Sequence, residues 1–163
     1  YRKDYGKYNV RITGGCFMKA VVQRVSGASV TVDGEIKGKI GKGFLVFLGV
    51  GKKDSELNAE RLANKIIKMR IFSDENDKIN LSLNDVGGSL LVISQFTLYA
   101  DCRKGNRPNF INAGNPETAE KLYEYFIGIC GKYIPVVEKG VFGADMKVEL
   151  ENDGPFTVVL EDI

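Results

Sequence analysis

No histidine occurs anywhere in the 163 residues. That absence removes Ser-His-Asp and Cys-His catalysis and the commonest zinc-site designs, so an enzyme built on this chain works without imidazole. Cysteine is scarce: Cys16, Cys102 and Cys130 are an odd number with no CxxC spacing, which argues against a disulfide framework and a zinc cluster and fits a reducing cytoplasm. No apolar run approaches the roughly 18 residues needed to cross a membrane, and the first residues lack the apolar core of a secretory signal. An excess of one charge is also missing. Lys and Arg number 23 against 21 Asp and Glu, a net charge of +2, so any binding of RNA must come from a local patch rather than a global field. No metal or cofactor is expected.

The chain is long enough for one domain with a proper core and too short for two. Residues 1–17, "YRKDYGKYNVRITGGCF", carry no amphipathic period and precede Met18; they read as a leader or tag-like extension outside a domain spanning 18–163. "KAVVQRV" and "ASVTVDGEIKGKI" alternate in β-branched residues around Asp33-Gly34, a hairpin signal, and "GFLVFLGV" is a buried-strand run. "DSELNAERLANKIIKM" places Leu57, Leu62, Ala63, Ile66 and Ile67 near one helical face, with Asp54 or Ser55 as N-cap. A strand over Leu90–Ile93 runs into the loop "CRKGNRPNFINAG". Asn115 and Pro116 then open a second helix with Ala119, Leu122, Phe126 and Cys130 inward and an end near Gly131, and three short strands complete the chain. Without strict βα alternation, the expected fold is a single α/β domain: a mixed sheet or partly closed barrel covered by two helices.

Two segments can carry chemistry. Ser94, Gln95, Phe96 and Thr97 put two hydroxyls, an amide and a ring where a buried strand meets a loop. The plain reading is an alternating strand, and a Ser or Thr without an adjacent base is a poor nucleophile; backbone N–H groups at such a turn can still polarise a carbonyl oxygen. Gly154-Pro155 precedes the last alternating run; a trans proline at the start of a strand is the commoner reading, and an X-Pro bond is the only kind for which cis is cheap, about 0.5–1 kcal/mol. Arg103, Lys104 and Arg107 in "RKGNRP" can hold phosphates or be merely solvated, and Phe110 and Tyr99 can stack on a base or belong to the core. Cys102 has no His partner and reads as structural or incidental. "GVGKKD" lacks the phosphate-loop spacing.

Together, "MKAVVQRVSGASVTV", "RIFSD", "GGSLLVISQFTLYAD", "GNRPNF", "FGADM" and "NDGPFT" closely resemble the bacterial D-aminoacyl-tRNA deacylases (D-tyrosyl-tRNA deacylases), from Met18 to the last residue. Phe156 stands where many members carry a small β-branched residue. The resemblance implies a cytoplasmic homodimer, without metal, that hydrolyses the ester between a D-amino acid and the terminal adenosine of tRNA and removes glycine mischarged onto tRNA for alanine. It implies a cis Gly154-Pro155 reaching into the partner's pocket as a chirality filter, with Arg24 propping it. Ser94, Gln95, Phe96 and Thr97 would line the ester, with N–H groups near Gln95 and Phe96 as the oxyanion site. Thr97 as nucleophile and activation by the ribose 2′-hydroxyl both stay open. The rival reading is a non-catalytic RNA-binding module using Arg103, Lys104, Arg107 and Phe110.

Overall fold

The computed structural model describes residues 17–161 and 163; the leader expected over 1–17 lies outside them except for Phe17. Strands β1 (Lys19–Val32), β2 (Glu35–Ile40) and β3 (Gly43–Gly49) lead into helix α1 (Glu56–Lys68). A small hairpin, β4 (Arg70–Ser73) and β5 (Ile79–Ser82), precedes β6 (Ser89–Ser94), a 3₁₀ turn (Phe96–Tyr99), helix α2 (Pro116–Gly131), β7 (Val137–Lys139) and β8 (Lys147–Leu160). The main sheet runs β2-β1-β3-β6-β7, with β8 on the other flank of β1. β3, β6 and β7 are mutually parallel and the remaining pairings in this sheet antiparallel, so the sheet is mixed, as expected.

The apolar run in β3 is explained by burial on both faces. Phe44, Val46 and Leu48 join Leu90 and Val92 of β6 beneath the two helices. Leu45, Leu91 and Ile93 face the opposite way, against Val25, Ala28, Val30 and Ile40. Successive strand residues point to opposite faces, so both sets are served by one continuous hydrophobic segment. The second core exists because β1 is long and irregular: its pairing with β8 shifts register between Gln23 and Gly27, which lets its second half and β2 curl over the sheet. A side chain on Gly38 of β2 would lie 3.0 Å from the Lys139 carbonyl of β7. The sheet is thus a nearly closed barrel with both helices on its outer face.

Local chemistry sets the helices. Asn115 Oδ1 accepts from the Thr118 N–H at 3.0 Å with Pro116 in the first turn, and Asn58 Oδ1 accepts from the Ser55 N–H at 2.9 Å at the start of α1. Ser55 is therefore the cap. Asp54 instead accepts from Met18 N–H at 2.8 Å and Gly51 N–H at 2.6 Å, tying the start of β1 to the end of β3; burial raises its carboxyl above the ordinary value against the pull of those two donors. Tyr123, buried in α2, donates to the Val92 carbonyl at 2.8 Å, a bond of about 1 kcal/mol that fixes α2 on β6.

Two expectations need correction. Leu57 is 53% exposed: it lies nine positions before Ile66, half a turn around a helix at about 100° per residue. The chain ends not in three short strands but in one of three residues and one of 14, because Gly154-Pro155 lies inside β8 rather than ahead of it. Of the two alternatives left open for Tyr99, the structure takes the core: it is buried, its hydroxyl donating to the Phe17 carbonyl at 2.6 Å, and offers no face to a base. The β4–β5 hairpin escaped sequence reading because neither strand exceeds four residues.

Candidate active site

The parallel strands β3 and β6 end together, with Leu48 opposite Ser94. Ligands in α/β sheets collect outside such carboxyl ends. Here the chain turns sharply at Gln95 into the 3₁₀ turn, which packs on Gly49: a side chain there would meet Tyr99 at 3.0 Å and the Gln95 carbonyl at 3.1 Å. The turn forms one wall of a pocket of about 490 Å³. Val50, Gly114, Pro116 and Ala119 line it from the base of the helices, and Phe142, Gly143, Ala144, Met146 and Val148 close the far side. Phe142 is held by packing against Tyr123, ring centroids 5.9 Å apart.

None of the residues lining this pocket ionises. Ser94 and Gln95 are the polar contributors and Phe96 and Phe142 the aromatic ones, while Thr97 is exposed, lies outside the lining and receives a hydrogen bond from Gln95 Nε2. The Gln95 N–H is committed to the Leu48 carbonyl at 2.8 Å, which removes it from the expected oxyanion pair. The N–H groups of Phe96 and Thr97 open the 3₁₀ turn and have no acceptor within it, as at any helical start. They are the donors the turn presents.

Phe96 is 56% exposed and meets Phe110 edge-on, ring centroids 5.0 Å apart, so Phe110 reaches the rim by way of Phe96. Between them the basic loop is pinched by reciprocal backbone bonds of Asp101 and Asn109, 2.9 and 3.0 Å. Arg103 forms a fork on Asp101, 2.9 and 2.7 Å, and this guanidinium holds the Asp101 carboxyl far below its usual range. Lys104 and Arg107 point to solvent. Cys102 is exposed, whereas burial pushes the Cys130 thiol up to about 12 and leaves it unreactive. Among the described residues, no group of His, Cys, Asp and Glu is placed to hold a metal.

Gly154 and Pro155 are not at this pocket. Gln23 of β1 pairs with Thr157 and Val25 with Asn152, so Asp153–Phe156 bulge opposite Arg24 alone. The Gly154–Pro155 bond is cis, with Gly154 at φ 140°. Asn152 Oδ1 accepts from the Phe156 N–H at 2.8 Å across the bulge. Arg24, its side chain 13% exposed, donates to the Asp153 carbonyl at 2.9 Å and the Ile71 carbonyl at 2.7 Å, and its guanidinium lies 4.9 Å from the Phe156 ring centroid. Phe156, unusual by resemblance, is thus a stacking surface for Arg24. Val148 lines the pocket, but Gly154 lies six residues farther along β8, about 20 Å of strand.

Sequence reading did not single out Val50, Phe142–Ala144, Met146 and Val148 as pocket residues. The stretch "FGADM" has a glycine at φ 75° and no period of 2 or 3.6, and only its position across the barrel mouth makes it a wall.

The likenesses agree with this geometry. A family model described as D-Tyr-tRNA(Tyr) deacylase matches residues 21–161. A D-aminoacyl-tRNA deacylase of Thermosipho melanesiensis is 58% identical over 145 residues, 88% of this chain and 97% of the relative. Another of Clostridium beijerinckii is 56% identical over 144 residues, 88% and 97%. The solved structure of the c-Myc DNA Unwinding Element Binding Protein superposes with a TM-score of 0.84 at 42% identity, covering 89% of this chain and 99% of that one. A probable eukaryotic D-amino acid tRNA deacylase, 17% identical over the same shares, gives 0.77 and supports the fold alone. A barrel with its pocket at the ends of β3 and β6 and its Gly-Pro bulge propped by Arg24 is therefore built on a sequence that belongs to the D-Tyr-tRNA(Tyr) deacylase family.

Proposed function

We propose that the protein hydrolyses the ester joining a D-amino acid to the 3′-terminal adenosine of tRNA, releasing the free amino acid and tRNA, and acts likewise on glycine mischarged onto tRNA for alanine. The observation that carries this is a pocket of about 490 Å³ without one ionisable lining residue, flanked by the first N–H groups of a 3₁₀ turn. Such a site suits a substrate that is already reactive. An aminoacyl ester needs positioning and a stabilised oxyanion rather than a strong general base. Water attacks the ester carbonyl, the negative oxygen faces the Phe96 and Thr97 N–H groups, and the ribose 3′-oxygen leaves with a proton. The 2′-hydroxyl next to it is the nearest group able to relay that proton.

Chirality is read by backbone. About 20 Å of strand separates the Gly154-Pro155 bulge from its own pocket, which supports delivery of the bulge by a second copy. We assign the functional unit as a homodimer in which Gly154 and Pro155 of one protomer enter the other's pocket. There main-chain atoms exclude an L-side chain and leave room for a D-side chain, which gives specificity by exclusion. β8 has β1 as its sole strand partner among the described residues, so an open edge lies beside the bulge for such an association. The protein works in the cytoplasm, where aminoacyl-tRNA is found; among the described residues no helix is long and apolar enough to cross a membrane.

Matched D- and L-tyrosyl-tRNA decide the matter: the D-ester is cleaved and the L-ester spared, whereas equal rates, or none with either, would sink the assignment. A second expected result concerns pH. Since no pocket side chain titrates, kcat between pH 5 and 9 should show no bell; its one inflection belongs to the substrate's α-amino group, ordinarily about 7.7–8.0, and persists in Ser94→Ala.

One likeness favours a second reading, since a relative at 42% identity is named for binding DNA. A non-catalytic nucleic-acid module built on Lys104, Arg107 and Phe110 would bind uncharged RNA salt-sensitively and turn over no ester.

A further inference from the structure

Lys19, Arg24, Lys37, Arg103, Lys121, Lys139 and Lys147 each pair with a carboxylate. Among the described cations without an ion pair, three share one face of helix α1. Arg61, Lys65 and Lys68 are exposed and have no ion pair among the described residues. They stand four and three positions apart, hence on one face. With Leu57, Asn64, Glu60 and Ile163 they line a shallow groove of about 460 Å³. The one carboxylate side chain among these lining residues, Glu60, accepts a hydrogen bond from the Tyr125 hydroxyl at 2.5 Å. Like charges at these spacings disfavour a helix slightly. The helix C-terminus offsets this for Lys65 and Lys68, but not for Arg61 in mid-helix.

The strip begins at the pocket. Val50 and Gly114 are pocket walls and are joined by a 2.8 Å bond from the Gly114 N–H. Next come Lys52 and Lys53, both exposed, with the Lys52 N–H on the Asn112 carbonyl at 3.1 Å. Helix α1 then leads away for about 18 Å, at 1.5 Å per residue. Exposed cations that start beside the pocket and continue along one face of α1 complement a double-stranded polyanion whose single-stranded end lies in the pocket. We propose that the exposed face of α1, through Arg61, Lys65 and Lys68, binds the phosphate backbone of the tRNA acceptor stem. This rests on the hydrolase reading for the identity of the RNA and extends it to a surface outside the pocket.

The test is the triple variant Arg61→Gln/Lys65→Gln/Lys68→Gln beside a control losing the same charge elsewhere, Lys37→Gln/Lys39→Gln/Lys78→Gln. For the α1 variant, KM for D-tyrosyl-tRNA should rise about tenfold with kcat unchanged. The slope of log Kd against log salt for uncharged tRNA should flatten by about 2 to 3. Hydrolysis of a D-tyrosyl ester of the trinucleotide CCA, which has no duplex, should not change. An unaltered salt slope, an equal loss in the control, or an equal loss on the trinucleotide overturns the proposal. If the unsubstituted protein cleaves neither ester, the hydrolase reading falls, and the tRNA salt slope alone still decides whether α1 binds RNA.

Discussion

D-Tyrosyl-tRNA ending in 2′-deoxyadenosine should be hydrolysed at least about 100-fold more slowly than the ribose form, while Thr97→Ala keeps most of its activity. The first figure is the lower end of what a positioned proton-transfer group contributes. The pocket offers no side chain for that work: its lining carries no carboxylate, amine or thiol, and the chain has no histidine. Thr97 is a weak nucleophile candidate on geometry. Its hydroxyl is exposed, tied to the Gln95 amide and outside the pocket lining, and a hydroxyl without an adjacent base attacks poorly. Single-turnover rates on the two tRNAs separate the alternatives. Loss of turnover in Thr97→Ala together with a fully active 2′-deoxy substrate would make Thr97 the nucleophile and reject ribose assistance.

Arg24→Ala should be the most damaging substitution outside the pocket. It leaves the Asp153 and Ile71 carbonyls without their donor, at about 1–3 kcal/mol for the one on buried Ile71. It also removes the support beneath the bulge. If Gly154 and Pro155 form part of a partner's site, a displacement of 1 Å is enough to cost about 100-fold in kcat/KM on the D-ester. Arg24→Lys should recover little, because a single ammonium cannot serve two carbonyls and stack on Phe156 together. Gly154→Ala probes the same place directly. With φ at 140° and an added carbon 3.0 Å from Arg24 Nη2 and 3.1 Å from the Phe156 N, it should cost about 1–3 kcal/mol and narrow the D-to-L rate ratio. Measuring that ratio alongside thermal melting settles the point. An Arg24→Ala protein that melts early but keeps the full ratio would confine Arg24 to stability and detach the bulge from the site.

Much of this was legible locally. The β3 run, the Asn115-Pro116 helix start and the turn after Ser94 depend on residues within a few positions of each other. Their spacing therefore states their structure. The missing histidine restricted the chemistry before any fold was known. Resemblance supplied the substrate class and promoted the cis form of Gly154-Pro155, which residue types alone read more readily as a trans proline at the start of a strand.

What the chain could not state by itself depends on pairing over long separations. Arg24 meets Asp153 only because β1 and β8 align 129 positions apart, and the bulge exists only because four residues there face one. Val148 and Phe142 become pocket walls because β1 bends and the sheet curls, which brings β8 and the segment after β7 across the mouth of the barrel. The Gln95 N–H is lost as an oxyanion donor to a carbonyl on β3. Local sequence determined which elements form and which side chains are absent from the chemistry; the register between distant strands decided which backbone groups remain free and which residues share a site.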